Sequence, residues 1–222
     1  MLERIYNRPL SVIKRYMNYA HYWFLDTVIR RQIPFNWLSA SNLGEMANRP
    51  THNLADADLL DTLMYLFTEG DLMLKLSGRN NNVQSLASPS RDFVQSTLFM
   101  GHDAWIQHPQ SIFYGVTAQG ATKWEQLSAP QWEQYYEEGY GIEPYEGDII
   151  ASERAVTEEV FGMARCDPLV GTIVPASITW TAIHPWNATY WKTLPIGHQV
   201  CFTYLPFVET DETPYPTQGY CT

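Results

Sequence analysis

Hydrophobic positions recur at helical spacing in several parts of the chain, and this pattern predicts its main helices. Over residues 11–33 the apolar stripe is wide and aromatic, which predicts a long first helix ended by Pro34. The segment ADADLLDTLMYLFTEG has an apolar face at the same spacing. It predicts a helix that begins at Asn53 or Asp56 and stops at Gly70. A short helix is predicted over 41–49.

Shorter apolar runs predict strands, which alternate with helices farther along the chain. DLMLKL and Ile112 to Val116 are predicted strands, and Thr117 is expected to cap a helix from Ala118 to about Leu127. The segments IIAS, ITWTAIHPW and GHQVCFTYLPFV predict strands in the last third, and ERAVTEEVFGMAR predicts a helix. QWEQYYEE and NATYWKTLP each predict a turn or two of helix. Residues 77–92 and the stretch GYGIEPYEGD are expected to be loops, because Gly, Pro, Asn and Ser punctuate them.

The charge of the chain bears on the kind of partner it can bind. Its 222 residues include 24 Asp and Glu against 14 Lys and Arg, a formal net charge of −10. Such a chain repels phosphate backbones, so a basic partner is expected and nucleic acid is disfavoured. No apolar leader or membrane-length apolar run is visible, which predicts a soluble, cytoplasmic protein with no membrane partner.

The acidic residues are concentrated in one stretch that is also rich in tyrosine. From Trp124 to Val160 the sequence has ten Asp or Glu and a single base, Arg154. Acid mixed with tyrosine suits docking to a basic cleft, and a solvated surface explains the same composition equally well. The predicted partner-binding residues are Glu133, Tyr135, Tyr136, Glu137, Glu138, Tyr140, Glu143, Tyr145, Glu146 and Asp148.

The residues that carry chemistry in enzymes are scattered. His102 and His108 lie six apart, and no spacing typical of a metal site or a phosphate-binding loop accompanies the histidines. The three cysteines, Cys166, Cys201 and Cys221, predict reduced thiols, with a Cys201–Cys221 bridge as the alternative. The sequence therefore predicts no catalytic residues, no metal and no cofactor.

The region from about Leu38 to Leu127 resembles a winged helix. The phrase FYGVTAQGATKWE (113–125) is similar to the "Y-x-L-T-x-x-G" ending of many bacterial winged-helix domains, with Tyr114, Val116, Thr117 and Gly120 at the matching positions. LFTEGDLML resembles the strand that precedes the wing. The resemblance implies a DNA-binding scaffold, but the corresponding recognition helix carries four acids and no base.

A second resemblance is to immunity proteins encoded beside bacterial toxins. It depends on Gly120 to Glu125, on Pro130 and Trp132, and on the segment PWNATYWKTLP (185–195). It implies a stoichiometric inhibitor that binds and occludes a cognate toxin.

Together these observations predict an α+β fold in which an N-terminal helical and winged-helix-like part precedes a smaller C-terminal α/β part. The predicted domains are residues 1–138 and 139–222. The predicted function is non-enzymatic binding of a basic protein, with a toxin domain as the partner. A winged-helix transcriptional regulator is the alternative, and an enzyme is the third class.

Overall fold

The computed structural model describes residues 18–46, 51–78, 83–167 and 170–206. Their contacts divide them into two compact units. We call residues 18–130 with 189–191 the N-terminal unit, and residues 131–188 with 192–206 the C-terminal unit. The predicted domain boundary at residue 138 stays a prediction.

Helices and strands alternate along the described residues. The six α-helices are α1 (Tyr19–Thr27), α2 (Asp56–Thr68), α3 (Arg91–Leu98), α4 (His102–Gln107), α5 (Ala118–Ser128) and α6 (Arg154–Ala164). The eleven strands are β1 (Ile33–Pro34), β2 (Leu72–Gly78), β3 (Val83–Leu86), β4 (Gln110–Val116), β5 (Tyr136–Tyr140), β6 (Glu146–Ala151), β7 (Thr172–Ile173), β8 (Thr179–Ile183), β9 (Trp186–Asn187), β10 (Thr193–Leu194) and β11 (Gly197–Leu205). Short 3-10 turns occupy Phe35–Leu38, Leu43–Met46, Trp132–Gln134 and Pro175–Ser177. None of the described helices is long and apolar enough to cross a membrane.

The N-terminal unit is built on a four-stranded antiparallel sheet in the order β1-β4-β2-β3. Its central strands β2 and β4 place alternate apolar side chains in the core, as a half-buried strand does. The core also contains the apolar face of α2 and the aromatic residues of α1. Its fully buried large side chains include Phe24, Phe35, Phe67, Tyr114 and Trp124.

The C-terminal unit is built on a five-stranded antiparallel sheet around β11, which is nine residues long. β6 pairs with one edge of β11 and β5 pairs with β6, while β8 and β7 follow one another along the other edge. Helix α6 packs on one face of this sheet. The two-stranded sheet of β9 and β10 brings Trp186 and Leu194 to a smaller cluster around Ile150.

The predicted fold class is wrong. The described chain is a mixed α/β protein rich in sheet, with three antiparallel sheets. Its helices are spread from residue 19 to residue 164, and seven of the eleven strands follow residue 135. The C-terminal half is therefore dominated by strands, and the N-terminal part has a four-stranded sheet of its own.

The errors lie where backbone pairing prevails over local sequence preference. The first helix ends at Thr27, because Ile33 and Pro34 pair with β4; residues 11–17 lie outside the described part. The expected loop 77–92 contains β3, which pairs with β2. The last three residues of the expected helix QWEQYYEE belong to strand β5, and NATYWKTLP extends from β9 into β10 without forming a helical turn. Strand formation depends on pairing partners that are distant in sequence, which explains these misses.

Other predicted elements are confirmed. Helix α2 begins at Asp56 and is followed by Gly70 with a φ of 72°, the left-handed conformation that glycine adopts readily. Strands β2, β4, β6, β8 and β11 and helices α5 and α6 lie within or close to their predicted ranges.

Helix α5 begins at a close contact with the turn that precedes β2. The Thr117 hydroxyl accepts a hydrogen bond from the Gly120 N–H at 3.1 Å and caps the helix, and the Thr117 N–H donates to the Asp71 carbonyl. A Cβ at Gly120 would collide with that carbonyl, so the helix can approach only because residue 120 is glycine. One turn later, Lys123 forms an ion pair of 2.7 Å with the buried carboxylate of Asp71.

Residues 189–191 complete the N-terminal unit. The Tyr190 hydroxyl accepts a hydrogen bond from the Val116 N–H at 2.7 Å and donates one to the Val28 carbonyl at 2.9 Å. The Trp191 indole donates to the Ile29 carbonyl at 2.6 Å. Two aromatic side chains thus satisfy main-chain groups at the ends of β4 and α1.

We predict opposite effects from alanine at two helical glycines. Gly120→Ala should lower the free energy of unfolding by about 1–3 kcal/mol, because its Cβ meets main chain that cannot rotate away. Gly162→Ala in α6 is the matched control: no atom lies within 4 Å of its Cβ, and alanine should stabilise the helix by about 0.5–1 kcal/mol. Urea unfolding followed by circular dichroism measures both. Equal effects would contradict the described α5 contact.

We also predict that Tyr190→Phe lowers the free energy of unfolding by about 1–3 kcal/mol. The variant keeps the ring but leaves the Val116 N–H and the Val28 carbonyl without their shared partner. Tyr65→Phe, at a half-exposed tyrosine of the same unit, should change stability by less than about 0.5 kcal/mol. Urea unfolding of the two variants side by side tests this, and equal stabilities would contradict it.

Candidate binding surface

The predicted acidic stretch folds into the β5–β6 hairpin at one edge of the five-stranded sheet. Tyr136 pairs with Ala151 and Tyr140 with Gly147, so the hairpin register is fixed over five residues. Successive side chains of a strand point to opposite faces. The hairpin therefore divides the predicted binding residues between the two faces of the sheet.

One of these faces is covered by α6. Tyr136 and Tyr145 pack against its cluster, which contains Ile149, Val160 and Phe202. The Tyr140 ring contacts the rings of Phe202 and Tyr204 edge-on, at centroid distances of 6.4 and 6.2 Å. Glu138 lies on the same side, at the exposed edge, and accepts a hydrogen bond of 3.3 Å from the Tyr140 hydroxyl. These tyrosines hold the hairpin against the core.

The opposite face, which we call the open face, is not covered by α6. By alternation it presents Glu137 from β5, Glu146 and Asp148 from β6, and Gln199, Cys201 and Thr203 from β11. Thr179 and Thr181 of β8 continue it. No described strand residue on this face is lysine or arginine. The cluster of Tyr135, Ile150, Trp186, Ala188 and Leu194 covers one end of the face.

Asp148 lies near the middle of the open face. It pairs across the strands with Gly139 on one side and with Cys201 on the other. A Cβ at Gly139 would lie 2.7 Å from the Asp148 Oδ1, so the carboxylate occupies the space that a side chain would need. The Gln199 amide donates a hydrogen bond to the other carboxylate oxygen at 3.4 Å. A cavity of about 330 Å³ opens beside it, lined by Glu146, Ser177, Cys201 and Thr203 among others.

The tip of the hairpin is a compact turn. The Gly141 N–H donates to the Glu146 carbonyl at 2.7 Å, and the Glu146 N–H donates to the Pro144 carbonyl at 2.9 Å. The Tyr204 hydroxyl donates to the Gly141 carbonyl at 2.7 Å. Ile142 and Glu143 protrude from this turn into solvent.

The predicted binding residues thus have different places in the structure. Tyr135 is 1% exposed, and its hydroxyl donates a hydrogen bond of 2.7 Å to Glu137 from within the core. Glu133 is exposed on the 3-10 turn before β5. The open face holds Glu137, Glu146 and Asp148; the α6 side holds Tyr136, Glu138, Tyr140 and Tyr145; Glu143 is at the tip.

Sequence reasoning missed the contribution of β11 to the open face. Gln199, Cys201 and Thr203 are some fifty residues from the acidic stretch, and only the β6–β11 register places them beside it. The alternation of polar Gln199, Cys201 and Thr203 with apolar Val200, Phe202 and Tyr204 was a usable signal, because it indicates a strand with one solvated face.

The acidic surroundings affect two titratable groups. Burial, followed by the negative charges of Asp148 and Glu146, raises the pKa of the Cys201 thiol. Burial, followed by the charge of Glu138, raises the pKa of the Tyr140 hydroxyl. Both shifts favour the neutral form, so Cys201 is a weak nucleophile here.

The cysteines differ from the prediction of reduced thiols. Cys166 is disulfide-bonded, and Cys201 is free. Both the fully reduced state and the alternative Cys201–Cys221 bridge are therefore wrong.

In the described part of the chain the histidines do not gather into a site with other ligands. His52 is buried, its Nε2 lies 2.9 Å from the Leu38 carbonyl oxygen, and its Nδ1 accepts a hydrogen bond from the Leu54 N–H. His108 Nδ1 lies 2.6 Å from the Gln110 carbonyl oxygen. Among the described residues no group of three His, Cys, Asp or Glu side chains could hold a metal ion.

The reactivity of Cys201 offers a test of the open face. We predict that Asp148→Asn and Glu146→Gln each accelerate alkylation of Cys201 by iodoacetamide at pH 8 by roughly two- to fivefold, the effect of one nearby charge at a solvated site. Removing either carboxylate lowers the thiol pKa and so increases the thiolate fraction. Peptide mass mapping after timed quenching gives the rate. Glu133→Gln, whose charge does not act on Cys201, is the control, and a rate equal to that of the control would contradict the geometry.

Comparisons with known proteins indicate no function, so the geometry described above is the basis for the proposed function. No protein-family model, curated protein or solved structure matches the chain. The resemblances to winged-helix domains and to immunity proteins therefore depend on the quoted motifs alone and stay predictions.

Proposed function

We propose that this chain is a non-enzymatic binding protein that docks the acidic β5–β6 hairpin and the adjoining open face onto a basic protein. The observation that carries the proposal is the one-sided charge of this surface. It presents Glu137, Glu143, Glu146 and Asp148, and residues 131–153 contain no lysine or arginine. A surface of one sign attracts a partner of opposite sign over several ångströms and fixes its orientation.

The construction of the surface supports this function. An antiparallel sheet backed by α6 holds the backbone that carries the carboxylates in a fixed register, so little backbone entropy is lost when a partner binds. The tyrosines of the hairpin pack against the core, Glu143 and Glu146 are exposed, and Glu137 and Asp148 are half-buried. Threonine, glutamine and serine around the carboxylates supply polar contacts of the kind found at the rim of an interface.

A protein partner fits the charges better than nucleic acid does. The open face repels phosphates, and helix α2 has exposed acids at Asp56, Asp58 and Asp61. Arg91, the first residue of α3, forms an ion pair of 2.6 Å with Asp61 and so offers little free positive charge to a phosphate.

The resemblance to immunity proteins makes the proposal more concrete. The chain would act as a stoichiometric inhibitor that occludes a basic toxin domain, and the cytoplasm would be the compartment where the two meet. The disulfide at Cys166 is a bond typical of oxidising compartments. Fractionation of the source cells tests the compartment: recovery of the chain in the cytoplasmic fraction supports the cytoplasm, and its recovery in an extracytoplasmic fraction counts against it.

The surface is tested by charge reversal after the partner has been identified. The chain is used to capture proteins from a lysate of the source cells, and captured proteins are identified by mass spectrometry and purified. We predict that Glu143→Lys with Glu146→Lys lowers the association rate at low salt by about tenfold or more and flattens its dependence on ionic strength. Stopped-flow or surface binding kinetics give both quantities.

The control for charge reversal is Glu158→Lys on α6, which packs on the opposite face of the same sheet. It changes the net charge by the same amount per residue and should leave the association rate within about twofold, since its charge lies away from the proposed interface. An association rate that responds equally to the two sets of changes, or to neither, contradicts the proposed surface. Recovery of a duplex DNA fragment instead of a basic protein would favour the regulator.

A further inference from the structure

The tip of the β5–β6 hairpin carries an exposed aliphatic side chain in an acidic setting. Ile142 is 80% exposed, more than any other large hydrophobic residue in the described part of the chain. Its neighbours Glu143 and Glu146 are exposed, and Glu138 lies on the adjoining strand. Isolated exposed apolar residues are common, so the exposure of Ile142 matters only together with the conformation that holds it.

The tip is held in a defined shape. Three hydrogen bonds fix it: Gly141 N–H to the Glu146 carbonyl, Glu146 N–H to the Pro144 carbonyl, and the Tyr204 hydroxyl to the Gly141 carbonyl. The Tyr204 ring is buried in the core beneath α6, so the last of these bonds ties the tip to the rigid part of the unit. Ile142 is therefore presented at a defined position at the end of the β5–β6 hairpin.

The backbone at the tip of the hairpin is also strained. Glu143 has a φ of 107°, a region that glycine adopts and glutamate rarely does. Strained residues of this kind concentrate at functional sites. At this position the strain accompanies the side chains of Ile142 and Glu143, both of which point into solvent.

We propose that Ile142 is the central anchor of the interface and inserts into an apolar socket rimmed by lysine or arginine on the basic protein partner. This inference rests on the proposed function and names the chemistry of the partner. The binding energy of an interface is concentrated in a few buried side chains surrounded by polar contacts that exclude water. Ile142 supplies the apolar centre, and Glu138, Glu143 and Glu146 supply the acidic rim that charge complementarity requires.

Two other occupants of the tip are disfavoured by charge. A second copy of the chain would bring together two acidic tips in a protein of net charge −10. An anionic bilayer would repel the same carboxylates.

The first experiment measures the affinity of purified chain for the protein captured from source cells. Ile142→Ser is expected to weaken binding by roughly thirtyfold, as for a central anchor, mainly through faster dissociation. Ile106→Ser is the matched control, since Ile106 is 68% exposed on α4 of the other unit, and it should change affinity by less than about twofold. Urea unfolding verifies that both variants are as stable as the parent.

The second experiment uses the photoreactive residue p-benzoylphenylalanine at position 142 or at position 106. Each purified chain is irradiated in source-cell lysate, and cross-linked peptides are sequenced. The expected result is a cross-link from position 142 to apolar residues flanked by Lys or Arg in a basic protein. It should be lost with excess parent chain and absent from position 106. A cross-link to a second copy, or flotation with phosphatidylglycerol vesicles that Ile142→Ser abolishes, overturns the proposal.

The outcomes separate the anchor from the proposed function. If charge reversal slows association while Ile142→Ser behaves like Ile106→Ser, the anchor is wrong and the acidic surface stands. If Ile142→Ser weakens binding while charge reversal has no effect, the acidic surface is wrong, and with it the basic rim of the socket.

Discussion

The register between β6 and β11 is the constraint on which the C-terminal unit depends. β11 pairs on both edges, and its alternate residues Val200, Phe202 and Tyr204 must face α6 for the core to close. This requirement determines which residues of β6 and β5 face the other way. A slip of one residue would bury Asp148 under the helix and expose Ile149, so the hydrophobic core and the acidic face are set by the same pairing.

The sequence was sufficient where a segment's own pattern determines its structure. The apolar stripe of α2, the Thr117 cap of α5 and the alternation along β11 each correspond to an element near its predicted position. The sequence was insufficient where a segment becomes a strand only by pairing with another strand that is distant along the chain. Tyr136 to Tyr140 are helix-compatible by composition, and they form a strand because β6 is already paired to β11 on its other side.

The same distinction explains the candidate site. Composition located the acidic and tyrosine-rich stretch, but it could not show which of its side chains pack against the core and which face solvent. Tyr135 has a hydroxyl that reaches Glu137 from the core, so one acid is positioned by a residue that cannot itself contact a partner. No sequence pattern distinguishes Ile142, because it is a single isoleucine between Gly141 and Glu143. Its exposure depends on the turn around it.

The missing side chain at Gly139 has a consequence for how this surface can evolve. Since the Asp148 Oδ1 lies 2.7 Å from the position that a Cβ at residue 139 would occupy, any side chain there obliges the carboxylate to turn to another rotamer. That turn would move the carboxylate away from the position in which it accepts a hydrogen bond from the Gln199 amide. A substitution at position 139 can therefore redirect the central charge of the open face while the net charge of the protein stays the same.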